Sequence, residues 1–215
     1  MPRVFVLRCQ ACRAELPATS NDVAFRCPQC GRAWEIADGA LRERPSFHVA
    51  PPAAARGAIL YLPYWSFPVS ASAEPRTRDE KTLTARDRAA KFERAWVAAY
   101  SIHRPTYVGE WGLVYTRVPP GWEARTGHGP EAAGATIASS DAKKIVTHYI
   151  LMEIDRMADI STLDINMNVG DPELWAIPCL DLGEQLRCPW TRGELPVSAL
   201  DDFSEIQRRK ERLEA

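Results

Sequence analysis

Four cysteines near the start of the chain form two pairs whose spacing suits metal coordination. Two residues separate Cys9 from Cys12 and Cys27 from Cys30, and fourteen residues separate the pairs. Two such turns supply the four thiolates that Zn²⁺ prefers in a structural site. Gly31 follows the second pair, where a tight turn requires a positive φ angle. We therefore predict one tetrahedral metal site.

The stretch around these cysteines resembles the zinc-ribbon superfamily over roughly residues 3–40. Short strands are predicted at residues 4–7 and 33–36. A module of this size buries too little apolar surface to fold alone, whereas metal binding supplies about 10–16 kcal/mol in zinc-finger peptides. The superfamily includes nucleic-acid binders, subunits of large assemblies and regulatory modules, so the resemblance does not choose a function.

The same four cysteines are compatible with two other uses. A rubredoxin-like iron site would suit residues 27–31, but Arg13 stands where rubredoxin normally has glycine. Two disulfides are a poorer explanation, because cysteines so close in sequence pair with strain and no secretory segment is visible. Structural Zn²⁺ is therefore the expected cofactor.

The amino-acid composition limits the classes to which this protein can belong. The chain has 215 residues, of which 46% are hydrophobic and 26% charged, which is typical of a globular protein. The sequence contains no run of about eighteen apolar residues and therefore predicts no membrane-spanning helix. We expect a cytoplasmic protein. The net charge of −1 argues against a dedicated binder of double-stranded DNA, which would carry a basic excess.

The distribution of proline divides the sequence into three parts. We predict a zinc ribbon at residues 1–42, a proline-rich connector at residues 43–58 and an α+β domain at residues 59–215. Pro45, Pro51 and Pro52 oppose regular strand pairing within the connector. Because a proline-rich connector joins them, we expect few contacts between the zinc ribbon and the α+β domain.

The α+β domain is predicted to contain a mixed or antiparallel sheet. Apolar runs at residues 59–67, 94–102 and 173–180 share a short pattern with a nearby tryptophan, which indicates strands of one sheet. Pro63 within the first run predicts an edge position or a bulge. A further strand is predicted at residues 185–190.

One main packing helix is predicted at residues 140–157. Ser139 or Ser140 can cap it, and apolar residues recur at helical spacing. The residues predicted to pack on the sheet are Ile145, Tyr149 and Ile154.

Other segments are less regular. Residues 71–93 are charged and predict a mobile loop, with a short helix at about residues 84–92. Residues 107–115 predict a strand or an ordered loop, and a tail helix is predicted at about residues 200–213. The domain resembles a group of bacterial ribbon proteins at residues 61–65 and 174–178, which implies architecture and no activity.

No catalytic motif stands out, and no P-loop, dinucleotide fingerprint or nucleophile elbow is present. His148 is expected to be a partly buried packing residue, and a site joining two loop histidines, His103 and His128, is disfavoured. Cys179 and Cys188 could form a second metal site with His103 or His128, or provide a reactive thiol, but we expect two small buried side chains. The fourth histidine is His48.

These observations predict a non-enzymatic accessory protein that docks to a protein partner in a larger assembly. No small-molecule substrate is inferred. Trp111 and Trp122 are candidates for an exposed docking surface, although core packing is the simpler expectation for each. The alternative is a nucleic-acid-associated ribbon protein, whose phosphate contacts would come from Arg3, Arg8, Arg13, Arg26 and Arg32.

Overall fold

The computed structural model describes residues 7–77, 79–101, 110–118 and 121–200 and shows an α+β architecture, which confirms the predicted fold class. The strands are β1 (Ala24–Arg26), β2 (Ala33–Ala37), β3 (Ala40–Arg44), β4 (Ser46–Val49), β5 (Ala58–Pro75), β6 (Arg94–Ala98), β7 (Ala124–Arg125), β8 (Leu163–Val169), β9 (Glu173–Asp181), β10 (Gln185–Arg187) and β11 (Glu194–Pro196). The helices are α1 (Glu80–Ala89), α2 (Glu110–Arg117) and α3 (Ser139–Asp155), with 3₁₀ turns at Ile160–Thr162 and Val197–Ala199.

The small sheet is antiparallel and has the order β1-β2-β3. The strand predicted at residues 33–36 is confirmed as β2. Of the strand predicted at residues 4–7, residues 4–6 lie outside the described part of the chain.

The large sheet has eight strands and is organised around β5, which has 18 residues. Residues 58–66 of β5 pair with β9, residues 64–68 pair with β6 and residues 69–75 pair with β8, all antiparallel. Because β4 runs parallel to β9, the sheet is mixed. The predicted placement of three strands in one sheet is thus confirmed.

Pro63 lies inside this sheet, so its predicted edge or bulge position is wrong. Pro63 pairs with Ala176 of β9, while its carbonyl accepts a hydrogen bond from the N–H of Ala99 at 3.0 Å. The nitrogen and carbonyl of one strand residue point to the same side, so the nitrogen of Pro63 faces away from β9. The missing N–H therefore removes no hydrogen bond between β5 and β9.

The segment predicted as a mobile loop is mostly regular structure. β5 continues to Pro75, and α1 begins before the short helix that was predicted. Asp79 caps α1, since its side chain accepts from the N–H of Thr82 at 3.0 Å and the Thr82 hydroxyl accepts from the N–H of Asp79 at 3.1 Å. A capping box with threonine at its second position was not recognised in the sequence.

Residues 110–117 form α2, where a strand or loop was predicted; residues 102–109 lie outside the described ranges. Trp111 and Tyr115 are one helical turn apart and both are buried. Gly112 allows α2 to approach β6, because a β-carbon there would lie 2.5 Å from the carbonyl oxygen of Trp96. A glycine that favours loops in sequence here serves close packing.

The main helix, α3, is confirmed, with two corrections. Ala138 occupies the cap position without a side-chain hydrogen bond, so neither predicted serine caps the helix. Tyr149 and Ile154 are buried as predicted, but Ile145 is 38% exposed. Val146 and Ile150 pack on the sheet instead.

The predicted connector contains a strand of the large sheet. β4 lies within residues 43–58 and pairs with β9 and β7. Pro45 precedes β4 and Pro51 follows it, so these prolines flank the strand and do not interrupt its pairing.

Two apolar cores lie on opposite faces of the large sheet. One contains Trp65 and Phe67 and packs against α1 and α3, whereas the other contains Leu62 and Tyr64 and packs against α2 and the β10–β11 hairpin. Alternation along β5 sends successive side chains to the two faces. Ala24 and Ala33 of the small sheet also belong to the first core.

Candidate metal centre

All four cysteines predicted as metal ligands lie together. The sulfur atoms of Cys9, Cys12, Cys27 and Cys30 all lie within 4.8 Å of one another. The closest pairs join the two turns, with 3.6 Å between the sulfurs of Cys9 and Cys30 and 3.6 Å between those of Cys12 and Cys27. Four soft donors at this spacing fit a single tetrahedral metal ion.

The two cysteine turns have the same backbone geometry. We call residues 9–14 turn A and residues 27–32 turn B. In each, the N–H of the first cysteine donates to the carbonyl five residues later, and the N–H four residues later donates back to the cysteine carbonyl. The bonds are Cys9 N to Ala14 O at 2.8 Å and Arg13 N to Cys9 O at 2.9 Å in turn A, and Cys27 N to Arg32 O at 2.8 Å and Gly31 N to Cys27 O at 2.9 Å in turn B.

Arg13 takes the place of the glycine expected after the second cysteine of turn A. Its φ angle is 66°, close to the 75° of Gly31 in turn B, so both residues lie in the left-handed region. The departure from the rubredoxin sequence pattern therefore does not change the shape of the turn.

The surroundings of the sulfurs give Cys9 and Cys30 different thiol pKa values. Burial opposes ionisation of Cys9, but N–H donors from Cys12, Ala11 and the Trp34 indole outweigh it and lower the pKa of Cys9 to about 6. The indole nitrogen lies 3.3 Å from the sulfur of Cys9. Burial, together with the neighbouring cysteine sulfurs, raises the pKa of Cys30 to about 12. A metal ion would therefore displace a proton from Cys30.

Arg26 supplies a positive charge beside turn B. It is only 5% exposed, and its guanidinium donates to the carbonyl of Pro130 at 3.2 Å and to that of Gly127. Burial lowers the pKa of Arg26, while the charges of Cys27 and Cys30 act in the opposite direction. Four thiolates on a divalent ion carry a net negative charge, which this buried cation partly offsets.

A buried carboxylate joins the small sheet to α3. Glu35 accepts hydrogen bonds from the N–H of Ser139 at 2.8 Å and its hydroxyl at 2.9 Å, and from Arg44 at 2.7 Å. Ala24 and Ala135 also exchange backbone hydrogen bonds. The metal module is therefore held against the rest of the chain by buried polar contacts as well as by the strand connection.

The contacts of Arg26 with Pro130 and of Glu35 with Ser139 could not be assigned from sequence, because each joins residues about a hundred positions apart. Both are charged residues within short apolar strands, which is the one local signal of an unusual environment.

The histidines give no further metal ligand among the described residues, where the four cysteines form the one group of three or more potential ligands. His48 is buried, with Nδ1 3.3 Å from Arg26. His128 is exposed, and His148 is also exposed, so its predicted partial burial is wrong. His103 lies outside the described residues.

Two other sets of predicted residues have clear positions. Trp111 is 7% exposed and Trp122 is half-buried against Tyr115, so Trp111 presents no free surface for docking. Cys179 and Cys188 are buried, as expected. Of the arginines proposed to meet phosphates, Arg26 is buried and Arg32 pairs with Glu43 at 3.3 Å; Arg8 and Arg13 are exposed, and Arg3 lies outside the described residues.

Comparison of the sequence with protein-family models, with curated proteins and with solved structures finds no significant match. Across residues 7–77, 79–101, 110–118 and 121–200, no helix combines the length and apolar character that crossing a bilayer requires.

Proposed function

We propose that this chain is a non-enzymatic, zinc-dependent adaptor that docks to a protein partner in the cytoplasm. Zn²⁺ is the proposed ion because four thiolates in a tetrahedral set are its usual structural site. In this proposal the metal centre is a zinc ribbon fused to the α+β domain, and it has a structural role.

One observation carries the docking proposal: large apolar side chains are exposed at the start of β5 and just after the end of β9. Ile59 is 36% exposed and Leu182 is 47% exposed. Ile59 pairs with Leu180 on one face of the sheet, and Leu182 follows two positions further along the chain, just past the end of β9. We call these three residues the apolar face. A contiguous exposed apolar surface is typical of a protein interaction site.

A cleft next to this face supports the same proposal. It has a volume of about 510 Å³ and is lined by Leu180, apolar residues of the loop before β5, and the side of β10 and β11. Arg187 and Arg192 stand at the cleft beside Glu194. Because Arg187 is paired with Glu194 at 2.6 Å, the partner is expected to insert an apolar side chain with an acidic group near Arg192.

The experiment is affinity capture with the zinc-loaded chain and a Leu182→Asp variant, with Val118→Asp as the matched control. Val118 is 70% exposed and directly follows α2, which packs on the opposite face of the large sheet from Ile59. We expect wild type and the control to retain the same partner and Leu182→Asp to lose it. Equal capture by both variants would contradict the proposal. Capture that disappears after nuclease treatment would instead support the nucleic-acid alternative.

A further inference from the structure

A third turn of the metal-binding type lies between β10 and β11, and we call residues 188–193 turn C. The N–H of Cys188 donates to the carbonyl of Gly193 at 2.9 Å, and the N–H of Arg192 donates to the carbonyl of Cys188 at 3.0 Å. Arg192 has a φ angle of 58°. Turns A and B have the same two hydrogen bonds at the same sequence offsets, and in each the fifth residue also has a positive φ angle.

The strands that flank turn C also match those that flank turn B. Arg26 pairs with Ala33 across the mouth of turn B, and Arg187 pairs with Glu194 across the mouth of turn C. Both turns open with Arg-Cys-Pro. The difference lies at the fourth position, where Thr191 stands in place of the second cysteine. The β10–β11 hairpin thus has one cysteine, Cys188, at the position that the first cysteine occupies in turns A and B.

The sulfur of Cys188 faces two potential hydrogen-bond donors. The N–H of Thr191 lies 3.4 Å from it, and the Tyr115 hydroxyl lies 3.1 Å from it. Donors of this kind stabilise a charged or metal-bound sulfur, whereas a disulfide sulfur is a much poorer acceptor. Both contacts are therefore available to a metal-bound sulfur at Cys188.

A second buried thiol, Cys179, lies on the neighbouring strand β9. Leu186 pairs with Asp181 and Arg187 pairs with Leu180, and extending this register by one residue beyond the end of β10 would set Cys188 opposite Cys179. The hydrogen bond from Leu182 to Gln185 fixes the alternation and makes this a non-hydrogen-bonded pair, in which facing side chains come closest. Both cysteines belong to the same buried core.

We propose that Cys179 and Cys188 form a second metal site, which takes one soft, low-coordinate ion of the Cu(I) class. Thiolates select soft ions, and two thiolates satisfy a monovalent d¹⁰ ion, whereas structural Zn²⁺ takes four ligands. Within the described ranges no third cysteine, histidine or carboxylate joins this pair. The argument for this site does not rest on the proposed adaptor function, although Cys188 lines the cleft assigned there to the partner.

Binding requires both thiols to lose their protons. Two protons leave as one Cu(I) ion binds, so the bis-thiolate complex has a single negative charge. The Tyr115 hydroxyl and the Thr191 N–H then donate to the Cys188 sulfur and stabilise that charge. Burial raises the pKa of Cys179, so uptake should weaken as pH falls.

Access to the site requires only local opening. Among the described strands β11 pairs with β10 alone, at one end of the large sheet, and Cys188 is one of the residues that line the cleft beside the apolar face. Movement of this short hairpin would expose both sulfurs without disturbing the pairing of β5 with β9.

In the experiment, Cu(I) is added under anaerobic conditions to the full chain, whose four-cysteine centre is already loaded with zinc. A chromophoric Cu(I) chelator competes for the copper and reports the affinity. Zinc release is followed in parallel, and X-ray absorption reports the ligands of copper. We expect uptake of one Cu(I) ion per chain with zinc retained and two sulfurs on copper. Cys179→Ser should weaken binding by about 100-fold or more.

A second pair of variants keeps the test independent of core folding. Thr191 is half-buried, and Thr191→Cys is nearly isosteric while supplying the missing cysteine of turn C. It should tighten Cu(I) binding by about tenfold or more and add a third sulfur to copper, whereas Thr191→Ser should behave like wild type. Copper uptake matched by equal zinc release, affinity unchanged by both Cys179→Ser and Thr191→Cys, or a Cys179–Cys188 disulfide in anaerobically purified protein would each overturn the proposal.

Discussion

The backbone of Gly31 packs so closely against Gly127 that a β-carbon on Gly31 would lie 1.7 Å from the Gly127 carbonyl oxygen. The same carbonyl accepts a hydrogen bond from Arg26. The turn that carries Cys27 and Cys30 therefore rests directly on the segment that follows β7. Metal binding and the packing of the small sheet against the rest of the chain share this contact.

Gly31→Ala should destabilise the protein by about 3 kcal/mol or more, through a strained φ angle and a backbone clash. Gly39→Ala is the matched control, because Gly39 has a φ angle of 74° and no atom within 4 Å of an added β-carbon. The control should cost about 1 kcal/mol. Urea denaturation of both variants measures the difference, and equal losses would contradict the packing argument.

Glu35→Ala should destabilise the protein by about 3 kcal/mol, because it leaves Arg44 and the first turn of α3 without their buried acceptor. Glu43→Ala, which removes the exposed pair with Arg32, should cost less than about 1 kcal/mol. We expect one cooperative transition in denaturation monitored by circular dichroism. A separate early transition of the small sheet alone would indicate that the Glu35 contacts do not couple the two parts.

Metal affinity should fall as pH falls. At neutral pH the metal-free protein keeps the proton of Cys30, whose pKa is about 12, so binding must displace it; Cys9, with a pKa of about 6, is already ionised. Each displaced proton weakens apparent affinity roughly tenfold per pH unit, so the dependence should steepen below about pH 6, where Cys9 also holds its proton. Competition with a zinc chelator from about pH 5 to about pH 8 measures this slope. A flat profile would argue against thiolate ligands.

Ile150→Asp should prevent stable folding, because it buries a charge with no partner between α3 and the large sheet. Ile145→Asp changes the same residue type on the same helix at a position that is 38% exposed, and should alter stability by no more than about 0.5 kcal/mol. Thermal melting of the two variants tests which face of α3 packs. Similar melting temperatures for both would refute the assignment.

The metal centre was predictable from sequence because its ligands come in local pairs. Cys9, Cys12, Cys27 and Cys30 signal turns through spacing alone, and the apolar runs that became β6 and β9 carry an equally local pattern. Turn C was missed because it has the backbone of a cysteine turn without the second cysteine.

Longer-range features could not be read from local pattern. The second half of β5 contains small and polar residues that resemble a loop, and it becomes a strand because β8 pairs with it. Likewise α2 forms where glycine suggested a turn, because Gly112 lets two buried aromatic residues reach the core against β6. In both places tertiary packing overrides propensity.

The 18 residues of β5 have a consequence for synthesis on the ribosome. The strand is translated early, but two of its three partners, β8 and β9, lie about ninety residues or more downstream. Until β9 emerges at residues 173–181, the apolar first part of β5, residues 58–63, has no partner strand and is exposed to aggregation. The metal turns are complete by residue 32, so ion capture can give the nascent chain its first fixed structure while β5 awaits its partners.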